Sequence, residues 1–282
     1  GRVGERADGC AEEAAGHDCI NTNEWLGYGP GRADGGESGS AWVSALHWLS
    51  TDRNLDPPSR EVETERRLAR RADHLIAVSQ LTARDVKDQY GGDPTVIYNG
   101  FSKCATTGRD FKSELGIDGE MLFFVGRHTD QKGIDHLVYA MERLDRDDVT
   151  LVIGGSGHLT DQLKRFAELL GVGDRIEWVG YVPEVELGDY YASADLFVSP
   201  SLAEPFGITI TEALSAGTRV VATESGVTEV LPEESVVEVD PDSKSIAAGI
   251  GRALELDGVP EFDPITWDEV VDETVAFYEQ VV

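Results

Sequence analysis

Lysine is scarce in this chain: Lys87, Lys103, Lys112, Lys132, Lys164 and Lys244 are all there are, and the remaining positive charge is arginine. Lys plus Arg total 24 against 53 Asp plus Glu, a formal net charge of −29. A surface of that sign repels nucleic acid, so no nucleic-acid partner is expected. Cysteine is sparse as well. Cys10, Cys19 and Cys104 lack paired metal-ligand spacing, which points to a reducing, intracellular setting without structural zinc. No apolar run approaches the roughly 18 residues needed to span a bilayer, and no signal peptide is visible. The acids are spread along the whole chain. Self-repulsion on this scale needs screening to permit a compact state, so the composition predicts a protein kept soluble in a very salty cytoplasm.

Aliphatic and aromatic residues are ample for a core. From residue 120 to about 262, strands and helices alternate: MLFFVG, then Ile134 to Leu144; VTLVIGG, then Leu159 to Leu170; RIEWVGY, then Val185 to Ala194; and onward through LFVSP, RVVAT and SVVEV. That order predicts a doubly wound parallel sheet with helices burying apolar stripes on both faces. After Pro264 a helix is expected with Trp267, Val270, Val271, Val275 and Tyr278 on one side. The first hundred residues are less regular. They offer a strand in DCINTNEW, a loop over GYGPGRADGGESGS, a strand and turn in AWVSALHWLS, a helix in SREVETERRLARRA and a strand in HLIAVS.

The stretch EPFGITITE carries the sharpest chemistry, with Glu204 and Glu212 eight positions apart across a Gly207 that opens a helix. Upstream lies the short apolar strand from Leu196; downstream, Phe206, Ile210, Ala213, Leu214 and Gly217 recur at helical spacing. Ligands collect at the carboxyl ends of parallel strands, where a helix start offers unpaired N–H groups to anions. Gly207 and Ile208 would supply such groups. Glu212, one turn on and about 6 Å further along, would then meet the ribose behind a diphosphate. Arg127 and Lys132 flank the loop GRHTDQK after the strand MLFFVG, and two cations there suit a departing diphosphate; an ordinary solvated loop is the plainer reading.

These stretches together, VGRHTDQKGIDHLVYAMERL, LVIGGSGHLTDQLKRFAELLG, IEWVGYVPEVELGDYYASADLFVSPS and ADHLIAVSQLTARDVKDQYGGDPTVIYNG, resemble consecutive pieces of family 4 retaining glycosyltransferases, with Glu204 and Glu212 in the family's E-x7-E signature. The resemblance runs from about His17 to the end. It implies the GT-B fold, an α/β architecture of two Rossmann-like domains. By resemblance Arg127 and Lys132 bind the nucleotide's phosphates, Glu204 contacts donor-sugar hydroxyls and Glu212 reads the ribose. The glycine-rich turn GGSG places Gly155 near the nucleotide, although its glycines need only permit a positive φ. The main chain at Val182 meets the base, with Tyr181 beside it as a packing residue. His47 follows AWVSAL where the family carries a His facing the donor sugar, against the plain reading of a structural His. Asn99-Gly100 reads as a simple turn. Thr218-Arg219 and Ser225-Gly226 depart from the family's Pro-Val and Gly-Gly, which bears on the choice of sugar.

The resemblance implies a metal-independent transferase with no cofactor beyond its donor, a UDP- or GDP-linked sugar. The acceptor is an unspecified hydroxyl, and a membrane-borne one would bring a cytoplasmic enzyme to the inner face of the membrane. Asp145-Arg146-Asp147 imitates a metal-binding DxD but precedes a buried strand, on the wrong side of the sheet, so no metal site is assigned. The expected division is a partial first domain over 1–101, a linker over 102–119, a nucleotide-sugar domain over 120–262 and a helix over 263–282 crossing back. The absence of opening strands before Cys19 and a start at Gly1 lead to the expectation of a haloarchaeal-type, N-terminally truncated chain. A nucleotide-sugar epimerase of the same fold and a noncatalytic donor-binding fragment are the alternatives.

Overall fold

The computed structural model describes residues 18–24, 28, 40–54, 56–232, 234–256, 258–259 and 264–281. Cys10, His17 and most of the loop GYGPGRADGGESGS lie outside them. The chain divides into two compact units, Gly1–Gly100 with Ile265–Val282, and Phe101–Pro264.

The first unit is a parallel sheet of β1 (Cys19–Asn23), β2 (Ala41–Leu46), β3 (His74–Ala77) and β4 (Thr95–Val96), in that spatial order. Alternation along β2 decides its two faces. Trp42 and Leu46 pack with Leu49, Leu68, Leu75, Val86 and Tyr90, while Val43 and Ala45 pack with Ile76, Ile97, Val270 and Phe277. The first face is covered by α1 (Ser50–Arg53), α2 (Ser59–Arg71) and α3 (Gln80–Tyr90). Neither α3 nor β4 is picked out by the sequence alone. Yet α3 has its signals: Ser79 caps it by accepting from the Thr82 N–H at 3.0 Å, and Gly91 ends it at φ 77.

The opposite face receives α10 (Trp267–Val281), where the expected apolar side is corrected. Val270 and Phe277 are buried, whereas Val271 and Val275 stay about half exposed, because the residues seven apart are the ones that meet the sheet. Gly100 is more than a turn residue. A Cβ there would come within 2.6 Å of the Trp267 ring.

The second unit holds six parallel strands, β5 (Glu120–Val125), β6 (Val149–Gly154), β7 (Ile176–Gly180), β8 (Leu196–Ser199), β9 (Arg219–Ala222) and β10 (Val236–Glu238). Their order is β10-β9-β8-β5-β6-β7, with β5 paired to both β6 and β8. The crossover helices are α5 (Ile134–Arg143), α6 (Thr160–Leu169), α7 (Glu184–Ser193) and α8 (Ile208–Ser215), with α9 (Ser243–Leu254) after β10. On α5 the buried Ile134, Leu137, Val138 and Met141 form the stripe that helical spacing predicts.

Residues within 102–119 pack against α7 and the loop after it. Asp189 on α7 accepts from Thr107 N–H (2.8 Å), Thr107 Oγ1 (2.6 Å) and Gly108 N–H (3.0 Å), and Lys112 Nζ reaches Asp195 at 2.6 Å. The Phe111 ring stacks on Tyr190 at 3.7 Å, just inside the short helix α4 (Phe111–Glu114). This strap is part of the second unit. No helix among the described residues is long and apolar enough to cross a membrane.

Candidate functional site

Strands on either side of the β5/β8 pair run outward in opposite chain order, so their carboxyl ends leave a crevice between the loop after β5 and the loop after β8. The two loops are laced together. The Gln131 carbonyl and side chain both serve this edge: Leu202 N–H donates to Gln131 O at 2.8 Å, and Gln131 Nε2 donates to Ala203 O at 3.0 Å. Gly133 makes the approach feasible, since at φ 57 a Cβ would lie 2.1 Å from Pro200 O.

The lacing brings Lys132 and Glu204, 72 positions apart, to 2.6 Å between Nζ and Oε2. Their side chains are only 19% and 12% exposed, so each neutralises a charge that would otherwise be stranded out of water. Ser201 Oγ donates to the same Glu204 oxygen at 3.0 Å. The main chain of Glu204 is pinned too, its carbonyl accepting from Gly226 N–H at 3.2 Å, while Phe206 O accepts from Val227 N–H at 2.7 Å.

Gly207 follows at φ 103, a conformation closed to most residues, and opens α8. The N–H groups of Gly207 and Ile208 have no partner among the described residues, as the first turn of a helix requires. One turn on, Glu212 Oε2 accepts from the fully buried Tyr191 Oη at 2.9 Å. Burial raises the Glu212 pKa, the Tyr191 hydrogen bond opposes that rise, and the nearby Glu184 charge adds to it. The Tyr191 phenol is pushed well above its ordinary range, first by burial and then by the Glu212 charge.

Arg127 stands at the end of β5 with its side chain exposed and unpaired among the described residues. The neighbouring His128, 1% exposed, is a structural pin: its Nδ1 lies 2.8 Å from Thr160 Oγ1 and its backbone N–H donates to Ser156 O at 3.0 Å. Burial holds its pKa down. The GGSG glycines serve close approach. A Cβ on Gly155 would lie 1.9 Å from Gly126 O, and Gly155 N–H donates to Gly180 O at 2.6 Å. Val182 is buried against Gly154, but Tyr181 is 80% exposed, which corrects its reading as a packing residue.

In the second unit, then, Arg127, Lys132, Glu204, Gly207, Ile208, Glu212, Gly155 and Val182 all lie on loops or within the first two helical turns at one edge of one sheet. His47 belongs to the first unit. It follows β2, its N–H donates to Glu24 Oε1 at 2.8 Å and its Nε2 lies 3.4 Å from Asn23 Oδ1. The ring is open to solvent, yet protein crowds it enough to lower its pKa by desolvation. Asp145-Arg146-Asp147 lies between α5 and β6 with Arg146 turned to Asp148, and no group among the described residues could hold a metal ion. Sequence reasoning missed Tyr191, Ser201 and Gln131 as partners of the site. Ser201, three residues before Glu204, was within reach of a local pattern; Tyr191 was not.

Comparison with known proteins bears on this edge. Residues 109–261 match the family model "Glycosyl transferases group 1" and residues 11–102 match "Glycosyltransferase Family 4". An uncharacterized glycosyltransferase of Methanocaldococcus jannaschii is 38% identical over 60% of the chain, a match spanning about half (48%) of that relative. A D-inositol 3-phosphate glycosyltransferase of Catenulispora acidiphila is 28% identical over 99% of the chain and 76% of its own length. Among solved structures, Anabaena HepE in complex with UDP and glucose superposes with a TM-score of 0.76 at 25% identity, covering 90% of this chain and 74% of that one. Sucrose-phosphate synthase from Thermosynechococcus elongatus shares the fold, with a TM-score of 0.77 at 24% identity over 94% of this chain and 74% of its own.

Proposed function

The chain belongs to the group 1 glycosyl transferases, and from that premise we propose that it moves a hexose from a nucleoside-diphosphate donor to a hydroxyl acceptor, with retention and without a metal. The observation that carries this reading is the Lys132–Glu204 pair, 2.6 Å long, at the switch point beside the start of α8. The two charges satisfy each other in the structure. A nucleotide sugar offers each a better partner: the diphosphate takes Lys132, and the sugar hydroxyls take Glu204.

Arg127 and the Gly207 and Ile208 N–H groups add to the charge stabilisation as negative charge grows on the departing diphosphate. Glu212, steadied by Tyr191, accepts from the ribose hydroxyls, and Gly155 and Val182 line the nucleotide side. The incoming hydroxyl attacks from the leaving-group face, and its proton passes to the departing phosphate oxygen. UDP is the favoured nucleotide because HepE was solved with UDP and with UDP-glucose. A net charge of −29 supports a working environment of concentrated salt, and a cytoplasmic one, at the membrane when the acceptor is membrane-borne.

Melting temperatures measured with UDP, GDP and ADP test the nucleotide site. UDP is expected to give the largest rise; no rise with any of the three overturns the reading. NMR of the glycoside formed from UDP-glucose then reports the anomeric configuration, and an inverted product would refute retention.

A further inference from the structure

Tyr191 on α7 and Glu212 on α8 form the pair that the transferase reading assigns to the ribose. One stretch of chain touches both helices: residues 101–108, the first part of the strap, through which the chain enters the second unit. On α8, Cys104 N–H donates to Ser215 Oγ at 3.4 Å, and the same hydroxyl donates to the Glu212 carbonyl at 2.8 Å. Just before α8, the Phe206 ring lies 6.1 Å from that of Phe101. On α7 the approach is closer. A Cβ on Gly188 would lie 2.2 Å from Ala105 O and 3.3 Å from Cys104 Cβ, so helix and strap meet through bare backbone. Next along, Asp189 is 1% exposed, and both of its oxygens are taken by Thr107 and Gly108 donors.

Neither residue suits a helix standing alone. Glycine inside a helix costs stability, and a carboxylate withdrawn from water is tolerated only when donors surround it. The strap accounts for both, because it needs the close approach at Gly188 and supplies the donors to Asp189. The Thr107 hydroxyl leads in holding the Asp189 pKa down, against burial and with help from the Gly108, Thr107 and Arg109 N–H groups, so the carboxylate is charged at neutral pH. Tyr191 stands two residues further along the same helix. The strap is also within electrostatic reach of the ribose reader: after burial, the Glu212 charge is the next largest influence pushing the Cys104 thiol up to about 11.

We propose that docking of residues 101–108 is energetically coupled to nucleotide binding, with Asp189 a positioning residue that acts through α7 to set the Tyr191 hydroxyl against Glu212. This role rests on the transferase reading above. The docked strap is the state that binds nucleotide tightly. Coupling is reciprocal, so whatever factor docking contributes to UDP affinity, UDP returns to docking.

Calorimetry with UDP and amide hydrogen exchange at Thr107 and Gly108 test both directions on the full chain. Asp189→Ala removes three accepted hydrogen bonds and should weaken UDP by roughly fivefold or more, within the usual range of coupling between sites. Asp189→Asn should restore most of the affinity, because its amide oxygen can accept from both N–H groups while the Thr107 hydroxyl turns to accept from the amide nitrogen. Gly188→Ala is the sharper variant. Alanine favours the helix itself, so weaker UDP binding there is the signature of a displaced strap. Should Asp189→Ala fail to fold, Thr107→Val removes one of the three bonds and should give a smaller loss in the same direction. In the parent protein, saturating UDP should slow exchange of the Thr107 and Gly108 N–H groups by about the factor that Asp189→Ala costs in affinity. Unchanged UDP affinity in these variants, or Thr107 and Gly108 exchange indifferent to UDP in the parent, overturns the coupling and leaves the transferase reading standing. Failure of UDP to bind the parent protein removes that reading, and the coupling with it.

Discussion

The carboxyl edges of the two sheets use the left-handed backbone region in opposite ways. In the second unit it is occupied by Gly133, Gly155 and Gly207, where a Cβ would collide or strain and where the working groups are backbone N–H donors or the side chains next along the chain. In the first unit it is occupied by Glu24, which keeps its side chain and turns it inward. Glycine serves where the backbone must come close. In the first unit the side chain is kept although the backbone is strained there.

Glu24→Gln should give the largest departure, and it is visible in stability. The Glu24 pKa is raised from 4.5 to about 8 by folding. The native state therefore binds its proton more tightly than the unfolded chain, so stability from the neutral group is full below pH 4.5 and drains away as pH rises to about 8. Denaturant melts between pH 5 and 9 should show the wild type losing roughly 3–5 kcal/mol relative to Glu24→Gln. Parallel pH profiles would mean that the carboxyl is not held neutral.

In the second unit, Lys132→Ala should slow transfer roughly a hundredfold, about 3 kcal/mol, because it removes charge stabilisation that strengthens as the diphosphate departs. Nearly normal turnover would break the assignment. The two glutamates of the signature are then separable by calorimetry. Glu212→Gln should weaken UDP by about 1–3 kcal/mol, whereas Glu204→Gln should leave free UDP alone and lower turnover with the intact donor. Equal losses for free UDP would contradict the division. Tyr191→Phe should be the mildest, costing about 1 kcal/mol of UDP affinity by freeing the Glu212 carboxylate. It should also raise the Glu212 pKa, because the Tyr191 hydrogen bond opposes the rise that burial causes; a fall in that pKa would show Tyr191 acting through packing instead.

Much of the second unit was legible because its signals are local: strand and helix alternate within stretches of ten to twenty residues, and Glu204, Gly207 and Glu212 fall within nine positions. The first unit was less so. Helix α3 carries a Ser79 cap and a Gly91 stop, but its apolar positions Ala83, Val86 and Tyr90 are interrupted by charges, and β4 has two residues. The α10 stripe was misjudged because Val271 and Val275 are as apolar as Val270, and only the sheet beneath distinguishes them.

By itself the sequence determined that a parallel α/β chain would carry an acidic pair around a glycine-opened helix and two cations after an earlier strand. Residue type, spacing and period are enough for that, since each acts within a turn or a strand. Tertiary structure alone decided that Lys132 would meet Glu204 across 72 positions, that Tyr191 would hold Glu212, and that Glu24 rather than Glu65 would be left with an unmatched oxygen. Those outcomes depend on which loops the sheets bring side by side and on how far each carboxyl is withdrawn from water, and neither is a property of any short stretch of chain.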